Sequence, residues 1–209
     1  MLIKIIDLGI NNLTSVAKAF SEHAKKSVIE FVDTKNSKKD TSKSNLIVLP
    51  GLGNFGAAAR ILENSDLPEY IHNQISEGAS IVGICLGMQL LGDKSDESPG
   101  SKGLGLIPGT SRLLPAASGE RIPNVGWMKV NANPLYNWQS MSSGADFYFT
   151  HSFTLHPLSA LNKLASSPYG DTEIVSAVIK NRVMGFQFHP EKSGKAGKRL
   201  IKEVLEKVK

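Results

Sequence analysis

The first half of the chain alternates short apolar runs with segments of helical periodicity. Four runs have the length and composition of buried parallel strands, at residues 2–7, 29–32, 46–49 and 80–84. Apolar residues at helical spacing occupy residues 13–24, and a second predicted helix runs from Pro68 to about Glu77. A third helix is predicted to begin near Leu86. This alternation predicts an α/β fold with a largely parallel sheet.

The second half has a different pattern, with short strand-like runs closer together. These are predicted at residues 110–114, 127–130, 147–150 and 174–179. Asn181 and Arg182 predict a hairpin turn into a strand over residues 183–188, and residues 200–208 predict a closing amphipathic helix. The prediction is a single domain over residues 1–209, a flavodoxin-like three-layer α/β sandwich whose central sheet is mixed and mainly parallel.

Composition and charge remove several functional classes. No stretch of the sequence approaches the roughly 18 apolar residues of a membrane span. The net charge of +5 comes partly from short lysine clusters, without the dense basic stripe and interleaved aromatic residues typical of nucleic-acid binding. The positive charge leaves an acidic protein partner as an alternative. The single cysteine, Cys85, rules out an intramolecular disulfide and favours a reducing compartment, so we predict a cytoplasmic protein.

Chemically distinctive residues follow three of the predicted strands. Residues 50–53 form a glycine-rich turn, Cys85 follows the fourth strand, and His189 and Glu191 follow the last strand. In open α/β sheets, ligands bind beyond the carboxyl ends of the strands. We therefore expect these three segments to meet at one site.

Cys85 has the flanks of a nucleophile elbow. Gly83 and Gly87 surround it in the G-x-nucleophile-x-G pattern between a predicted strand and a predicted helix. The sharp turn strains the backbone and leaves no room for flanking side chains. The positive end of the following helix favours the nucleophilic thiolate. A buried structural cysteine is the alternative, and the two glycines with a helix behind them argue against it.

His189 is the candidate general acid among the five histidines. Glu191 lies two residues further on, and in extended backbone such residues project to the same side. Pro190 is expected to keep this segment from becoming helical. The carboxylate would then fix the imidazole tautomer. Without the elbow, the pair would more simply be surface residues in a polar turn.

The turn at Gly51, Leu52 and Gly53 is the candidate oxyanion site. Glycines let backbone N–H groups approach a substrate carbonyl, and each such donor contributes about 3 kcal/mol to amide hydrolysis. The second expected donor is the N–H of Leu86, the residue after the nucleophile. A plain turn between strand and helix is the alternative, and a phosphate loop is excluded because no Gly-Lys-Ser/Thr follows.

Together these segments resemble the class I, or triad, glutamine amidotransferases. The resemblance rests on residues 83–91 with His189, Pro190 and Glu191. Over nearly its whole length the chain is also similar to the family of glutaminase subunits of imidazole glycerol phosphate synthase. This narrower similarity rests on residues 9–13, 50–56, 103–106, 125–127, 147–153 and 185–193.

The resemblance implies a glutaminase that releases ammonia from L-glutamine without a metal or other cofactor. Cys85 would form the glutamyl thioester, His189 would act as acid and base, and Glu191 would orient His189. The oxyanion and the substrate would be held at Gly51, Leu52, Gly53, Leu86, Gly87, Gln89, Ser152 and Phe153.

The resemblance also implies a partner. Asn12, Trp127 and Lys192 would face a (β/α)8-barrel cyclase subunit in a heterodimer. The cyclase would use the ammonia to make imidazole glycerol phosphate and AICAR in histidine biosynthesis. The state of its distant site would control glutamine hydrolysis in the glutaminase.

Three residues depart from the family pattern. Asn124 and Met128 stand where the family commonly has His and Asn, and Asn11 stands where it often has Gly. These differences leave open a paralogous glutaminase that supplies ammonia for sugar amidation in surface-polysaccharide (O-antigen) biosynthesis. A non-catalytic scaffold is opposed by the intact triad. A thiol chaperone or peptidase of a related elbow-cysteine fold is opposed by Gln89 and the His-Pro-Glu segment.

Overall fold

The computed structural model describes residues 1–10, 13–24, 27–115, 120–142 and 144–208. Strands β1 to β12 are Leu2–Ile6, Val28–Val32, Leu46–Gly51, Ser80–Cys85, Lys94–Ser95, Gly109–Leu113, Asn124–Ala132, Ala145–His151, Phe153–Pro157, Lys163–Tyr169, Thr172–Lys180 and Val183–Phe186. Helices α1 to α6 are Leu13–His23, Phe55–Glu63, Leu67–Ser76, Leu86–Leu90, Gln139–Ser142 and Gly194–Lys207. Short 3-10 helices occupy Ser37–Lys39, Ala160–Asn162 and Pro190–Lys192.

The central sheet has nine strands in the order β2-β1-β3-β4-β12-β11-β10-β7-β8. Its first five strands are parallel neighbours. The remaining pairings, from β12 to β8, are antiparallel. A smaller sheet has the order β5-β6-β9. The predicted α/β class with a mixed sheet is confirmed, and the parallel pairings all lie in one half of it.

The buried core lies on both faces of the parallel half of the sheet. Along β3, Ile47 belongs to the apolar cluster that includes α2 and α3, whereas Val48 belongs to the cluster that includes α1 and α6. Ile81 and Val82 divide in the same way along β4. Successive side chains of a strand point to opposite faces, so both faces of these strands are covered. This arrangement is the predicted three-layer sandwich.

Helix α2 and strand β10 are absent from the sequence prediction. At the start of α2, the side chain of Asn54 accepts a hydrogen bond from the N–H of Ala57, which caps the helix. Strand β10 contains Pro168, a residue that is uncommon inside a strand because it cannot donate a backbone hydrogen bond. Pro168 is tolerated because β7 pairs only with Ala165 and Ser166 and does not reach it.

The last predicted strand is shorter than expected and ends at Phe186. The predicted hairpin before it is confirmed, because Lys180 pairs with Val183 across a two-residue turn. Strands β3, β4 and β12 are adjacent and parallel. Their carboxyl ends therefore bring the three distinctive segments to the same edge of the sheet. In the described part of the chain, no helix has the length and apolar character needed to cross a membrane.

Candidate active site

Cys85 stands at the junction between β4 and α4. Its φ of 55° and ψ of −112° lie outside the usual regions for a residue with a side chain. Backbone strain of this kind costs about 1–3 kcal/mol and is found where a nucleophile must be held at a sharp turn. The strand and the helix thus place the Cys85 sulfur at the carboxyl edge of the sheet.

The glycines of the elbow are required by close packing. A Cβ atom on Gly87 would lie 1.8 Å from the carbonyl oxygen of Leu49. A Cβ atom on Gly83 would lie 2.6 Å from the carbonyl oxygen of Gly87. Both contacts are with backbone, which cannot move aside cheaply. The missing side chains therefore allow α4 to begin directly against β3 and β4.

His189 and Glu191 form a buried pair beside the elbow. Nδ1 of His189 lies 2.7 Å from Oε1 of Glu191. His189 precedes a 3-10 helix that begins at Pro190, so the expected extended backbone over this segment was wrong. Proline fits the first position of a helical turn because its fixed φ is suitable and its missing N–H is not needed there. The turn brings the carboxylate back to the imidazole.

The electrostatic environment favours a protonated His189. Burial acts to lower the pKa of His189, but its interactions with Cys85 and Glu191 outweigh burial and raise that pKa to about 9. Within the described residues, the Nε2 atom of His189 is buried without a hydrogen-bond partner. The Nδ1 proton is held by Glu191, so Nε2 is the nitrogen left for the sulfur and the substrate.

A cavity of about 250 Å³ opens at Cys85. It is lined by most of the expected substrate residues, namely Leu52, Gly53, Leu86, Gln89, Ser152 and Phe153. Gly51 and Gly87 are outside the lining as the structure describes it. A Cβ on Gly51 would lie 2.8 Å from the Cβ of Leu86, so Gly51 permits the turn to pass close to the elbow.

Gln89 joins the cavity wall to the interior. Its Nε2 donates to the carbonyl oxygen of Phe153 at 2.8 Å and to Oε1 of Gln187 at 3.3 Å. Gln187 is fully buried, and its own Nε2 lies 3.8 Å from the Cys85 sulfur. The sulfur also lies 3.8 Å from the carbonyl oxygen of Thr150. Sequence reasoning missed Gln187, because only the pairing of β12 with β4 places it beside Cys85.

The sequence analysis also missed His151 and Glu97, both of which line the cavity. Nδ1 of His151 lies 2.9 Å from the carbonyl oxygen of Phe153, and Nε2 lies 3.2 Å from Nδ2 of Asn124. This pattern assigns the proton to Nδ1. Burial lowers the pKa of His151 to about 4, so the ring is neutral. The position of Asn124, a departure from the family pattern, is thus in contact with the cavity wall.

Glu97 is held at the cavity by helix α2. Its Oε2 accepts a hydrogen bond of 2.7 Å from the N–H of Phe55, the first residue of that helix. No sequence motif marked Glu97, because the contact joins segments 42 residues apart. Within the described residues, no group of three or more His, Cys, Asp and Glu side chains is arranged to hold a metal ion.

Two of the residues expected at the partner surface, Trp127 and Lys192, are exposed and lie next to the ring of Tyr148. Trp127 is 58% exposed, and its ring centroid lies 5.9 Å from that of Tyr148 in an edge-on arrangement. Nζ of Lys192 lies 6.0 Å from the Tyr148 ring centroid. Strand pairing places Trp127 directly opposite Tyr148. Asn12, the third expected partner residue, lies outside the described residues.

Two solved structures have the same fold as this chain. A crystal structure of a glutamine amidotransferase has a TM-score of 0.72 at 17% identity, covering 99% of this chain and 98% of that one. The structure of PurLQS from Thermotoga maritima has a TM-score of 0.71 at 20% identity, covering 100% of this chain and 99% of that one. At these identities the likeness concerns the fold.

Sequence comparison gives a narrower relationship. The family Glutamine amidotransferase class-I matches residues 4–208. The imidazole glycerol phosphate synthase subunit HisH of Lactococcus lactis subsp. lactis is 37% identical over 210 residues, covering 99% of this chain and 98% of the relative. The protein of the same name from Pyrococcus furiosus is 37% identical over 201 residues, covering 96% of each. The chain therefore belongs to the class I glutamine amidotransferases and, within them, to the HisH subunits of imidazole glycerol phosphate synthase.

Proposed function

We propose that this chain hydrolyses L-glutamine to glutamate and ammonia at Cys85, as the glutaminase subunit of an imidazole glycerol phosphate synthase. The observation that carries the proposal is the strained Cys85 elbow beside a buried His189–Glu191 pair, at the base of an amino-acid-sized cavity. The single domain over residues 1–209 would contain the whole glutaminase site. Cytoplasmic localisation is part of the proposal, because the mechanism needs Cys85 as a free thiol.

The first half of the reaction forms a thioester. The Cys85 thiolate attacks the side-chain carboxamide carbon of glutamine, and the resulting oxyanion accepts hydrogen bonds from backbone N–H groups. Leu86 and the turn at Leu52 and Gly53 line the cavity where these donors are required. His189 transfers its Nε2 proton to the amide nitrogen, and ammonia leaves as the carbon–nitrogen bond breaks.

The second half releases glutamate. Water attacks the thioester carbon while His189, now neutral, accepts a proton from it through Nε2. The carbon–sulfur bond breaks, the thiolate is restored, and His189 is again protonated. Glu191 holds the ring throughout, because its contact with Nδ1 maintains one tautomer and one orientation. This cycle uses no cofactor.

The amino-acid end of glutamine would lie against the opposite wall of the cavity. Ser152 and Phe153 offer backbone groups there, and Gln89 offers a side-chain carbonyl because its Nε2 is already bonded to Phe153. Glu97 supplies a carboxylate for the substrate ammonium group. A neutral His151 avoids repelling that ammonium group.

We propose that the ammonia passes to a (β/α)8-barrel cyclase subunit in a heterodimer, which makes imidazole glycerol phosphate and AICAR in histidine biosynthesis. The aromatic cluster of Trp127 and Tyr148 with Lys192 is the proposed contact surface, because exposed aromatic residues are typical interface anchors. The names of the relatives favour this pathway over sugar amidation.

The test is an ammonia-release assay with glutamine for the isolated subunit, for the complex with the barrel subunit, and for the complex with its acceptor ligand. We expect slow hydrolysis by the isolated subunit and faster hydrolysis in the liganded complex. The expected reason is that the turn at residues 51–53 aims its N–H at the oxyanion only after the partner has bound its own ligand. Equal rates in all three states would refute the coupling.

The Cys85→Ala protein is the control for the chemistry. It should fold and lose glutamine hydrolysis, while its complex should still form product from added ammonium salt. A Cys85→Ala protein with full glutaminase activity would refute the mechanism. Loss of both activities in an assembled complex would show that the two sites are not separable.

A further inference from the structure

We propose that Gln187 is a positioning residue for the nucleophile, which donates a side-chain N–H to the Cys85 sulfur and stabilises its thiolate form. Nε2 of Gln187 lies 3.8 Å from Sγ of Cys85, within the range of hydrogen bonds to sulfur. The Gln187 side chain is fully buried. An amide in the interior is stable only when its polar atoms are bonded, so this contact is built into the fold.

The neighbouring hydrogen bonds decide which end of the Gln187 amide faces the sulfur. The carbonyl oxygen of Phe153 can only accept, so the group of Gln89 at 2.8 Å from it is the NH2 group. The second hydrogen of that NH2 group points to Gln187, at 3.3 Å. Gln187 must therefore present its oxygen to Gln89, which leaves its own NH2 group for Cys85. The reversed amide would set two NH2 groups against each other.

The backbone holds Gln187 in register with Cys85. Phe186, the last residue of β12, pairs with Ile84 on β4, so the next residues along the two strands are Gln187 and Cys85. The N–H of Gln187 donates to the carbonyl oxygen of Ser176 at 2.9 Å, which ties it to β11 as well. The side chain is thus held by the sheet and does not depend on a mobile loop.

The contact matters because the other groups around the nucleophile either change their charge during the reaction or can only accept hydrogen bonds. His189 faces Cys85 with Glu191 behind it, and His151 and Glu97 stand on the cavity wall. The carbonyl oxygen of Thr150 can accept from the thiol but cannot donate to the thiolate. An amide N–H does not titrate, so Gln187 can donate to the thiolate before it attacks and again when the carbon–sulfur bond breaks, whatever the protonation state of His189.

The direct test is the pH dependence of Cys85 alkylation by iodoacetamide, which needs neither glutamine nor a partner. In the Gln187→Met protein, we expect the pH of half-maximal alkylation to rise by about one unit, with about tenfold slower alkylation at low pH. Gln74→Met is the matched control. Gln74 is also buried and hydrogen-bonded, but to Ser42 and Ser44, away from the elbow, and this variant should keep the wild-type profile.

Steady-state kinetics give a second readout. Gln187→Met should lower kcat by about tenfold with little change in KM, because Gln187 does not line the cavity as described. Gln89→Met should shift the alkylation profile in the same direction by a smaller amount and should also raise KM. It releases the Gln187 amide and removes a substrate contact.

A folded Gln187→Met protein with the wild-type alkylation profile would overturn the proposal. If Gln187→Met does not fold, as judged by its melting temperature, Gln89→Met carries the test, and an unshifted profile in that variant overturns it equally. The kinetic part rests on the proposed glutaminase function, whereas the alkylation part does not. A shifted profile in Gln187→Met, together with a wild-type complex that releases no ammonia from glutamine, would refute the function and leave the role of Gln187 standing.

Discussion

Nδ1 of His189 and Oε1 of Glu191 are 2.7 Å apart, and the two side chains are only 2% and 6% exposed. An ion pair in this setting is poorly screened by solvent, so Glu191 strongly favours the protonated form of His189. Glu191 and Cys85 together offset the cost of burying a protonated imidazole. The free enzyme therefore stores a proton on His189 before the substrate binds.

The stored proton predicts the alkaline limit of activity. The kcat/KM for glutamine should fall as the pH rises through about 9, because His189 then has no proton for the leaving nitrogen. In Glu191→Gln the limit should move to lower pH, and kcat should fall at least about 100-fold. Profiles of kcat/KM against pH test this, and an alkaline limit that does not move in Glu191→Gln would contradict the coupling.

The elbow glycine Gly87 predicts a large stability effect. Gly87→Ala places a methyl group against the carbonyl oxygen of Leu49, so the free energy of unfolding should fall by about 3 kcal/mol. Gly9→Ala is the matched control. Gly9 has a φ of +72° with nothing within 4 Å, so its cost is conformational and about 1–2 kcal/mol. Urea unfolding measures both, and equal losses would show that packing at the elbow is not the cause.

The two tryptophans predict opposite outcomes. Trp138 is 2% exposed, so Trp138→Ala should destabilise the isolated subunit by about 3–5 kcal/mol. Trp127 is mostly exposed, so Trp127→Ala should leave the melting temperature nearly unchanged. It should instead weaken association with the barrel subunit by about 30-fold, the loss of an aromatic anchor. Calorimetry of the subunit and titration with the partner separate the two effects. Wild-type affinity in Trp127→Ala would remove this surface from the interface.

Neutral His151 predicts a stability loss in acid. Its pKa is lowered from the ordinary 6.5 to about 4. Between these pH values, His151 is therefore protonated in the unfolded chain and neutral in the folded chain. The His151 contribution to stability is present above pH 6.5 and is lost as the pH falls toward 4, by about 3 kcal/mol over this window. His151→Gln should lack that part of the decline. Unfolding at several pH values compares the two proteins, and parallel curves would disprove the assignment.

The sequence did not decide whether Trp127 lies in the core or on the surface. Trp127 could equally have been a core residue, and the chain contains a second tryptophan that is one. Only the pairing of β7 with β8 decides that the Trp127 ring faces outward beside Tyr148.

The sequence by itself determined the features that depend on neighbouring residues. The spacing of Gly83, Cys85 and Gly87 specifies the elbow because the strain at Cys85 and the close approach of Gly83 to Gly87 arise within five residues. The alternation of apolar runs and helical segments specifies the α/β class for the same local reason. The tertiary structure alone decided that Gln187 lies beside the sulfur and that His151 and Glu97 line the cavity. Those contacts join segments far apart in the chain, so they form only when the whole sheet has assembled and buried its faces.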